Sequence, residues 1–345
     1  MDMVIDAVKD MKATVAALVV PGKGILAADE SIPTITKRFD AAGIPSNPDT
    51  RRAYRELLIG TPQVGDYLSG IILFEETLDQ KAANGTLLPE LCAKQGIVPG
   101  IKVDKGLVEL PFTGGDKVSQ GLDGLAERLA VYKQKGARFA KWRSVYNISS
   151  GHPTRLAIQA NAEVLARYAA ICQNQGIVPI VEPEVLIDGD HSIDQCAEVS
   201  ERAFHEVFHA LHRHGVQLEL MVLKPNMVIA GKSHAHPSTP EEVADRTVEV
   251  LRRTVPGAVP TINFLSGGQT PEQASANLNA MHTRHPGLPW NLSFSYARAL
   301  QDPVMKLWKG DPSKVDEARK AFFHRAKLNG AAQKGAYQPA MEQKI

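Results

Sequence analysis

Short apolar segments alternate with amphipathic segments along almost the whole chain. The apolar segments have the length and the turn-residue boundaries of buried strands. The amphipathic segments have the periodicity of helices that cover a core on one side. This pattern predicts eight strands at 24–29, 70–76, 100–104, 139–143, 178–184, 218–224, 261–268 and 292–298.

Eight strands that alternate with helices predict a (β/α)8 TIM barrel. The alternative is an open, doubly wound sheet with one segment wrongly assigned. No GxGxxG motif opens a predicted helix, and no linker divides the chain. We therefore predict one domain over residues 1–345, with helices to about Leu328 and a C-terminal tail over 329–345.

Composition and charge narrow the class of protein. The chain is 43% hydrophobic and 22% charged, as in an ordinary globular protein. A net charge of +1 without a basic run argues against a nucleic-acid partner. Cys92, Cys172 and Cys196 lack CxxC spacing, so we expect reduced thiols and a cytoplasmic location. No apolar run is long enough to cross a bilayer, so we expect no membrane partner.

Charged residues and a Ser-Gly turn lie at or just after the ends of most predicted strands. The C-terminal strand ends form the active face of such barrels. A single charged residue there is usually a solvated loop residue. Many such residues at one barrel mouth favour a functional site. The group consists of Asp29, Lys102, Asp104, Lys141, Arg143, Glu182, Glu184, Lys224, Ser266, Gly267 and Arg298.

The sixth predicted strand ends in a lysine that is a candidate nucleophile. Leu218, Leu220 and Val222 have the same parity as Lys224, so we expect them to share its face. An amine at the end of an apolar face is poorly hydrated, which favours its neutral, nucleophilic form. A second cation such as Lys141 would favour that form further. The alternative is a lysine that simply reaches solvent.

Two lysines with carboxylates, and no histidine at a strand end, suit a Schiff base better than a metal site. The amine of Lys224 would attack a carbonyl, and Glu182 could exchange protons with the carbinolamine. The Ser266-Gly267-Gly268 turn and Arg298 follow the seventh and eighth strands, where barrels bind phosphate. These residues predict carbonyl chemistry on a phosphorylated substrate.

Two other readings remain open at this point. The segment from His205 to His209 matches HExxH, which places two histidines on one helix face as zinc binding requires. Its predicted helix lies between strands five and six, on the outer ring of a barrel, so we favour an amphipathic helix. The other reading is a non-catalytic barrel, against which the intact Lys224, Glu182 and Asp29 argue.

Several segments closely resemble the class I fructose-bisphosphate aldolases, in order, from Gly22 to about Leu328. They are GKGILAADES, LFEET, GIKVDKG, FAKWR, GIVPIVEPE, VLKPNM, RRTVP, TINFLSGGQ, NLNA and FSYARAL. The resemblance implies a cytosolic, often tetrameric barrel enzyme that needs no metal and no cofactor. It also implies reversible cleavage of fructose 1,6-bisphosphate to dihydroxyacetone phosphate and glyceraldehyde 3-phosphate.

The same resemblance implies roles for individual residues. The Schiff-base lysine of the KPNM motif corresponds to Lys224, and the acid/base glutamate of VEPE corresponds to Glu182. The other catalytic positions are Glu184, Asp29 and Lys141. The phosphate contacts correspond to Ser31, Lys102 and Arg143 at one end and to Ser266, Gly267 and Arg298 at the other, with Gly268, Ser295 and Ala297 in the same binding set.

The chain departs from the family pattern in three places. Ala297 stands where members commonly have glycine, so the backbone N–H is kept but not the freedom to reach positive φ. Residues 32–34 read Ile-Pro-Thr where the animal enzymes carry a Gly and a Ser. This difference leaves open whether Ser31 contacts a phosphate as in the family. Eukaryotic members end in a tyrosine implicated in proton transfer, and we do not assign that role to Tyr337.

Overall fold

A computed structural model describes the backbone of residues 2–343 and the side chains of residues 6–343. Eight parallel strands close into a barrel in the chain order first, tenth, ninth, eighth, seventh, sixth, third, second. The remaining two strands form an antiparallel hairpin. The strands are β1 (Gly24–Ala28), β2 (Leu68–Leu73), β3 (Val98–Lys102), β4 (Leu107–Glu109), β5 (Lys117–Ser119), β6 (Phe139–Tyr146), β7 (Val178–Val185), β8 (Val222–Leu223), β9 (Thr261–Phe264) and β10 (Asn291–Tyr296).

Helices surround the barrel, and 3-10 turns lie at 64–66, 75–78, 218–220, 312–314 and 339–343. The predicted TIM barrel is therefore confirmed. The helices are α1 (Asp2–Leu18), α2 (Ile32–Ala41), α3 (Pro48–Ile59), α4 (Leu88–Lys94), α5 (Leu125–Gln134), α6 (Arg155–Asn174), α7 (Ile193–Arg213), α8 (Pro240–Thr254), α9 (Pro271–Arg284), α10 (Arg298–Trp308) and α11 (Val315–Gln333).

Local sequence fixes where the helices begin. Three helices start with a reciprocal pair, in which the N-cap hydroxyl accepts from a backbone N–H and the side chain three residues later accepts from the N-cap N–H. Such pairs satisfy backbone donors that a helix start leaves free. They are Ser192 with Gln195, Thr239 with Glu242, and Thr270 with Gln273.

The barrel interior is a packed apolar core beneath the mouth. Met11, Val15 and Leu18 of α1 pack against residues at the N-terminal ends of the strands, including Phe139 and Val178. The helix thereby closes the end of the barrel opposite the strand C-termini. A second, larger core fills the layer between the strands and the outer helices. The C-terminal strand ends therefore form the open end of the barrel, where enzymes of this fold carry their active sites.

The sixth predicted strand is shorter than expected. Leu218–Leu220 form a 3-10 turn, and only Val222–Leu223 pair as β8. The Gln173 side chain donates to the carbonyls of Gln217 (2.8 Å) and Leu220 (3.2 Å), so these carbonyls bond to α6 and not to a neighbouring strand. Leu220 and Val222 still face the barrel interior, but Leu218 packs outside, so its predicted shared face is wrong.

Other elements were not predicted or end elsewhere. The sequence pattern does not predict α2, α4 or the β4–β5 hairpin. Helix α11 continues to Gln333 and does not end near Leu328. Beyond it, Tyr337 is buried and its hydroxyl donates to Glu342 Oε1 at 2.9 Å. The three cysteines are buried free thiols.

Within the described residues, each helix is either too short or too polar to cross a bilayer.

Candidate active site

Four buried side chains of alternating charge lie at the mouth of the barrel. Lys141 Nζ is 2.7 Å from Asp29 Oδ2 and 3.2 Å from Glu182 Oε2. The other oxygen of Glu182 is 3.2 Å from Lys224 Nζ. Each of the four residues is at most 8% exposed. The structure therefore brings four of the predicted catalytic residues together as one chain of ion pairs.

Strand geometry explains how these side chains meet. Lys141 and Arg143 are two residues apart on β6, as are Glu182 and Glu184 on β7, so each pair points to one face. The register pairs Arg143 with Glu182, and the Lys224 N–H donates to the Val181 carbonyl at 2.8 Å. Neighbouring strands thus place the Lys224 amine next to the Glu182 carboxylate. Asp29, in contrast, follows β1 and reaches Lys141 across the barrel.

Electrostatics keeps Asp29 and Lys141 charged. Burial alone would raise the pKa of Asp29. The ammonium groups of Lys141 and Lys224 outweigh this effect and lower the pKa to about 2. Burial lowers the pKa of Lys141, but Asp29 and Glu182 raise it well above its usual value. Lys141 is therefore a fixed ammonium held by two carboxylates.

The position of Lys141 differs from the sequence-based expectation in one respect. We expected its charge to act directly on Lys224, as a second cation beside the amine. In the structure the carboxylate of Glu182 lies between the two ammonium groups and contacts both. The positive charge of Lys141 is consequently compensated on the side that faces Lys224.

A second pair of ionic contacts lies at the same mouth. Arg143 Nε donates to Glu184 Oε2 at 2.5 Å, and Lys102 Nζ is 2.8 Å from Asp104 Oδ1. Burial lowers the pKa of Arg143, but Glu184 raises it well above the ordinary value, with smaller contributions from Glu182 and Asp104. Both predicted phosphate cations at this end are therefore already paired with carboxylates.

The glycine pair after β9 forms a turn that few other residues could adopt. Gly267 has φ +31° and Gly268 has φ +80°, in the left-handed region. A Cβ on Gly268 would lie 2.8 Å from Ile187 Cγ2 and 3.9 Å from Arg298 Nη2. A Cβ on Gly267 would lie 3.8 Å from Glu184 Oε1. The turn therefore lies between Glu184 and the exposed Arg298.

Small polar residues complete this side of the mouth. Ser266 and Ser295 are buried, and the Ser295 hydroxyl has no hydrogen-bond partner among the described residues. Ala297 has φ −101°, so the glycine common in the family is not needed for positive φ here. Its N–H remains at the start of α10. Alanine in place of the family's glycine at position 297 therefore requires no strained backbone φ.

Ser31 lies at a different edge of the mouth. It is the N-cap residue of α2, with its hydroxyl 3.0 Å from that of Thr34 and no side-chain bond to the helix backbone. Ile32 and Pro33 form the first turn of that helix. The Ile-Pro-Thr departure therefore changes a helix start beside the mouth.

Sequence analysis missed a network behind Asp29. Glu30 forms ion pairs with Arg38 and, at 2.8 Å, with Arg55. Gln301 donates to the carbonyl of Ala27 at 2.6 Å and accepts from the Tyr54 hydroxyl. These contacts fix the end of β1 against α2, α3 and α10. The acidic Glu30 directly after Asp29 was the available sequence signal.

The competing motif and the tail lie away from the mouth. His205 and His209 are exposed on α7, which packs outside the barrel. Across residues 6–343, no three His, Cys, Asp or Glu side chains are grouped as metal ligands. Tyr337 is tied to Glu342 and, through its N–H, to Asn279 of α9.

Comparison with known proteins agrees with this fold. Residues 10–345 match the family described as glycolytic fructose-bisphosphate aldolase class-I. A fructose-bisphosphate aldolase of Dictyostelium discoideum is 53% identical over 95% of this chain and 92% of its own length. A probable class 1 aldolase of Xanthomonas campestris pv. campestris is 50% identical over 96% of this chain and 99% of its own.

A solved structure extends the comparison to three dimensions. It is the aldolase of Plasmodium falciparum in a ternary complex with TRAP and a small-molecule inhibitor. The two folds superpose with a TM-score of 0.95 at 50% identity, over 96% of each chain.

Two lysines joined through a buried carboxylate at a barrel mouth suit Schiff-base chemistry on a carbonyl, and the matching family places the chain among the lyases. This chain belongs to the class I fructose-bisphosphate aldolase family. It reversibly cleaves fructose 1,6-bisphosphate to dihydroxyacetone phosphate and glyceraldehyde 3-phosphate, a step of glycolysis. Family members act through a Schiff base and without a metal ion.

The Gly268 turn generates a prediction with a matched control. A non-glycine residue in the left-handed region costs about 1–2 kcal/mol of stability. Gly268→Ala should lower the free energy of unfolding by more than this, because the Cβ of the new alanine would also clash with Ile187. Gly287→Ala has a similar φ, +77°, but no atom within 4 Å of the new Cβ. Urea unfolding and kcat/KM measure both variants. Equal unfolding losses and unchanged activity would contradict the packing argument.

Proposed function

We propose that Lys224 is the nucleophile that forms the Schiff base with the ketose carbonyl. The observation that carries this assignment is its position, buried at the end of an apolar barrel core with Nζ 3.2 Å from Glu182. An amine must lose a proton before it can attack, and Glu182 is the adjacent acceptor. Neither step requires a cofactor.

The same carboxylate can serve the following proton transfers. Glu182 takes a proton from the Lys224 ammonium, and the free amine adds to C2 of the substrate. A proton on the new C–N nitrogen passes to the oxygen on C2, which gives the neutral carbinolamine. Glu182 then gives its proton to the carbinolamine hydroxyl, which leaves as water to form the iminium. Finally the carboxylate accepts the C4 hydroxyl proton while the C3–C4 bond breaks, C4 becomes the aldehyde carbon and the bond's electrons move into the iminium, which becomes the enamine.

Asp29 and Lys141 have supporting roles in this proposal. Lys141 holds the second oxygen of Glu182, and Asp29 holds Lys141. With a pKa of about 2, Asp29 is a weak base and acts mainly through its charge. Glu184 is the carboxylate partner of Arg143 and lies near the Gly267 turn. These residues fix the geometry that Glu182 needs.

We propose two phosphate subsites on opposite sides of the mouth. Arg298 with the Ser266-Gly267-Gly268 turn, Ser295 and the N–H of Ala297 would bind the phosphate next to the carbonyl. Lys102, Arg143 and Ser31 would bind the distal phosphate. Guanidinium and ammonium groups bind phosphate through charge-assisted hydrogen bonds, and backbone N–H groups at a helix start add to them.

We infer a cytoplasmic location, supported by plant relatives that are named cytosolic or cytoplasmic. We also propose a homotetramer, which rests on the resemblance to the class I aldolases alone. Light scattering on the purified protein tests the tetramer against a chain mass of 37.5 kDa.

Covalent trapping tests the nucleophile. Borohydride with dihydroxyacetone phosphate should inactivate the protein and place a stable adduct on Lys224, because hydride reduces the iminium to an amine. Peptide mass mapping locates the adduct. Lys224→Met should form none and lose several orders of magnitude in kcat, whereas Lys232→Met, an exposed lysine after the same strand, should behave as wild type. An adduct on another lysine would refute the assignment.

Substrate comparison tests the two phosphate subsites. Fructose 1-phosphate lacks only the distal phosphate of fructose 1,6-bisphosphate. Arg298→Ala should weaken both substrates, because both carry the phosphate next to the carbonyl. Lys102→Ala should lower kcat/KM mainly for the bisphosphate, by about tenfold or more for a lost charge-assisted contact. A Lys102→Ala enzyme with the wild-type ratio of the two kcat/KM values would show that Lys102 does not bind the distal phosphate.

A further inference from the structure

The cation Lys102 is held by a neighbouring carboxylate that has no role in the proposed chemistry. Its Nζ is 2.8 Å from Asp104 Oδ1 and donates to the Asp104 carbonyl at 2.7 Å. Two of the three donors of the ammonium are thus engaged within the protein. The side chains of Lys102 and Asp104 are 16% and 6% exposed.

Stability alone does not account for this carboxylate. Asp104 Oδ1 also accepts from the Gly106 N–H, at 3.3 Å, but Oδ2 is buried and has no hydrogen-bond partner among the described residues. A buried carboxylate oxygen without a partner costs free energy. A neutral side chain at this position would avoid that cost, so the charge of Asp104 calls for a role in substrate binding.

The two proposed phosphate subsites differ in their charge balance. Lys102 and Arg143 each face a carboxylate, Asp104 and Glu184 respectively. Arg298 is exposed and forms no ion pair within 4 Å in the part of the chain that the structure describes. A phosphate at the Arg298 subsite meets an uncompensated cation, whereas a distal phosphate meets cations that are already neutralised.

We propose that Asp104 is a specificity-determining residue, whose carboxylate competes with the distal phosphate for Lys102. This inference rests on the proposed assignment of Lys102 to that phosphate. A phosphate must either draw Lys102 away from Asp104 or bind with the carboxylate close to its own negative charge. Both outcomes weaken binding of the distal phosphate and leave the phosphate next to the carbonyl unaffected.

An opposing effect decides the sign of the test. Asp104 also restrains the flexible lysine, which favours binding by preorganisation. A phosphate dianion so near a poorly solvated carboxylate is repelled more strongly than side-chain restraint can offset. Loss of the charge should therefore tighten binding of the bisphosphate.

The variant Asp104→Asn tests this inference. It removes the charge but keeps an oxygen that can accept from Lys102 and Gly106. The KM for fructose 1,6-bisphosphate should fall about threefold to tenfold, the size of one partly screened charge pair, while the KM for fructose 1-phosphate stays within error. The ratio of the two kcat/KM values should rise by the same factor. A general effect on folding would change both substrates together.

Two controls isolate the route through Lys102. In a Lys102→Ala background, Asp104→Asn should leave the ratio unchanged, because the group through which it acts is gone. Glu75→Gln removes a negative charge from the nearby, more exposed ion pair between Glu75 and Lys105, and should also leave the ratio of the two kcat/KM values unchanged. If the Asn variant does not fold, Asp104→Ser, which keeps a hydroxyl for Gly106, should shift the ratio in the same direction.

The outcomes separate this inference from the subsite assignment. If Lys102→Ala alone keeps the wild-type ratio, the assignment of Lys102 is wrong and the inference fails with it. If Lys102→Ala changes the ratio but Asp104→Asn does not raise it, the assignment stands and the inference is overturned. A rise of equal size in the Lys102→Ala background would also overturn it.

Discussion

The buried chain of alternating charges from Asp29 through Lys141 and Glu182 to Lys224 constrains the rest of the mouth. Charges removed from water must be paired, and loss of one partner from a buried pair typically costs about 3–5 kcal/mol. Each of these residues therefore depends on its neighbours. The apolar core beneath these four side chains and the Glu30 network behind Asp29 hold the charged groups in position.

The barrel is suited to this arrangement because it brings together residues that are distant in sequence. Glu182 and Lys224 come from adjacent strands, whereas Asp29 approaches Lys141 from β1 across the interior. The same mouth carries paired cations at one side and, at the other, Arg298, which has no ion-pair partner among the described residues. In the proposed function, one set of strand ends supplies a nucleophile, a proton acceptor and two unlike phosphate subsites.

Much of this architecture is encoded in patterns that a sequence shows. Hydrophobic alternation predicts the barrel, and parallel strands place the charged residues at 29, 141, 182 and 224 at one end. Sequence position does not reveal which charges pair, because that depends on strand register and tilt. For this reason Glu182 was not foreseen between the two lysines, nor Asp104 on Lys102. The 3-10 turn at Leu218–Leu220 escaped prediction because distant Gln173 binds its backbone.

In the proposed mechanism, the carboxylate of Glu182 exchanges the protons that allow Lys224 to form the Schiff base. The most direct test of this role is the rate of iminium formation in Glu182→Gln, measured by rapid mixing with dihydroxyacetone phosphate and borohydride quenching at timed intervals. The amide keeps the size of the side chain but cannot take a proton. We expect an adduct that still forms on Lys224, about 10²–10⁴-fold more slowly. Formation at the wild-type rate would contradict this mechanism.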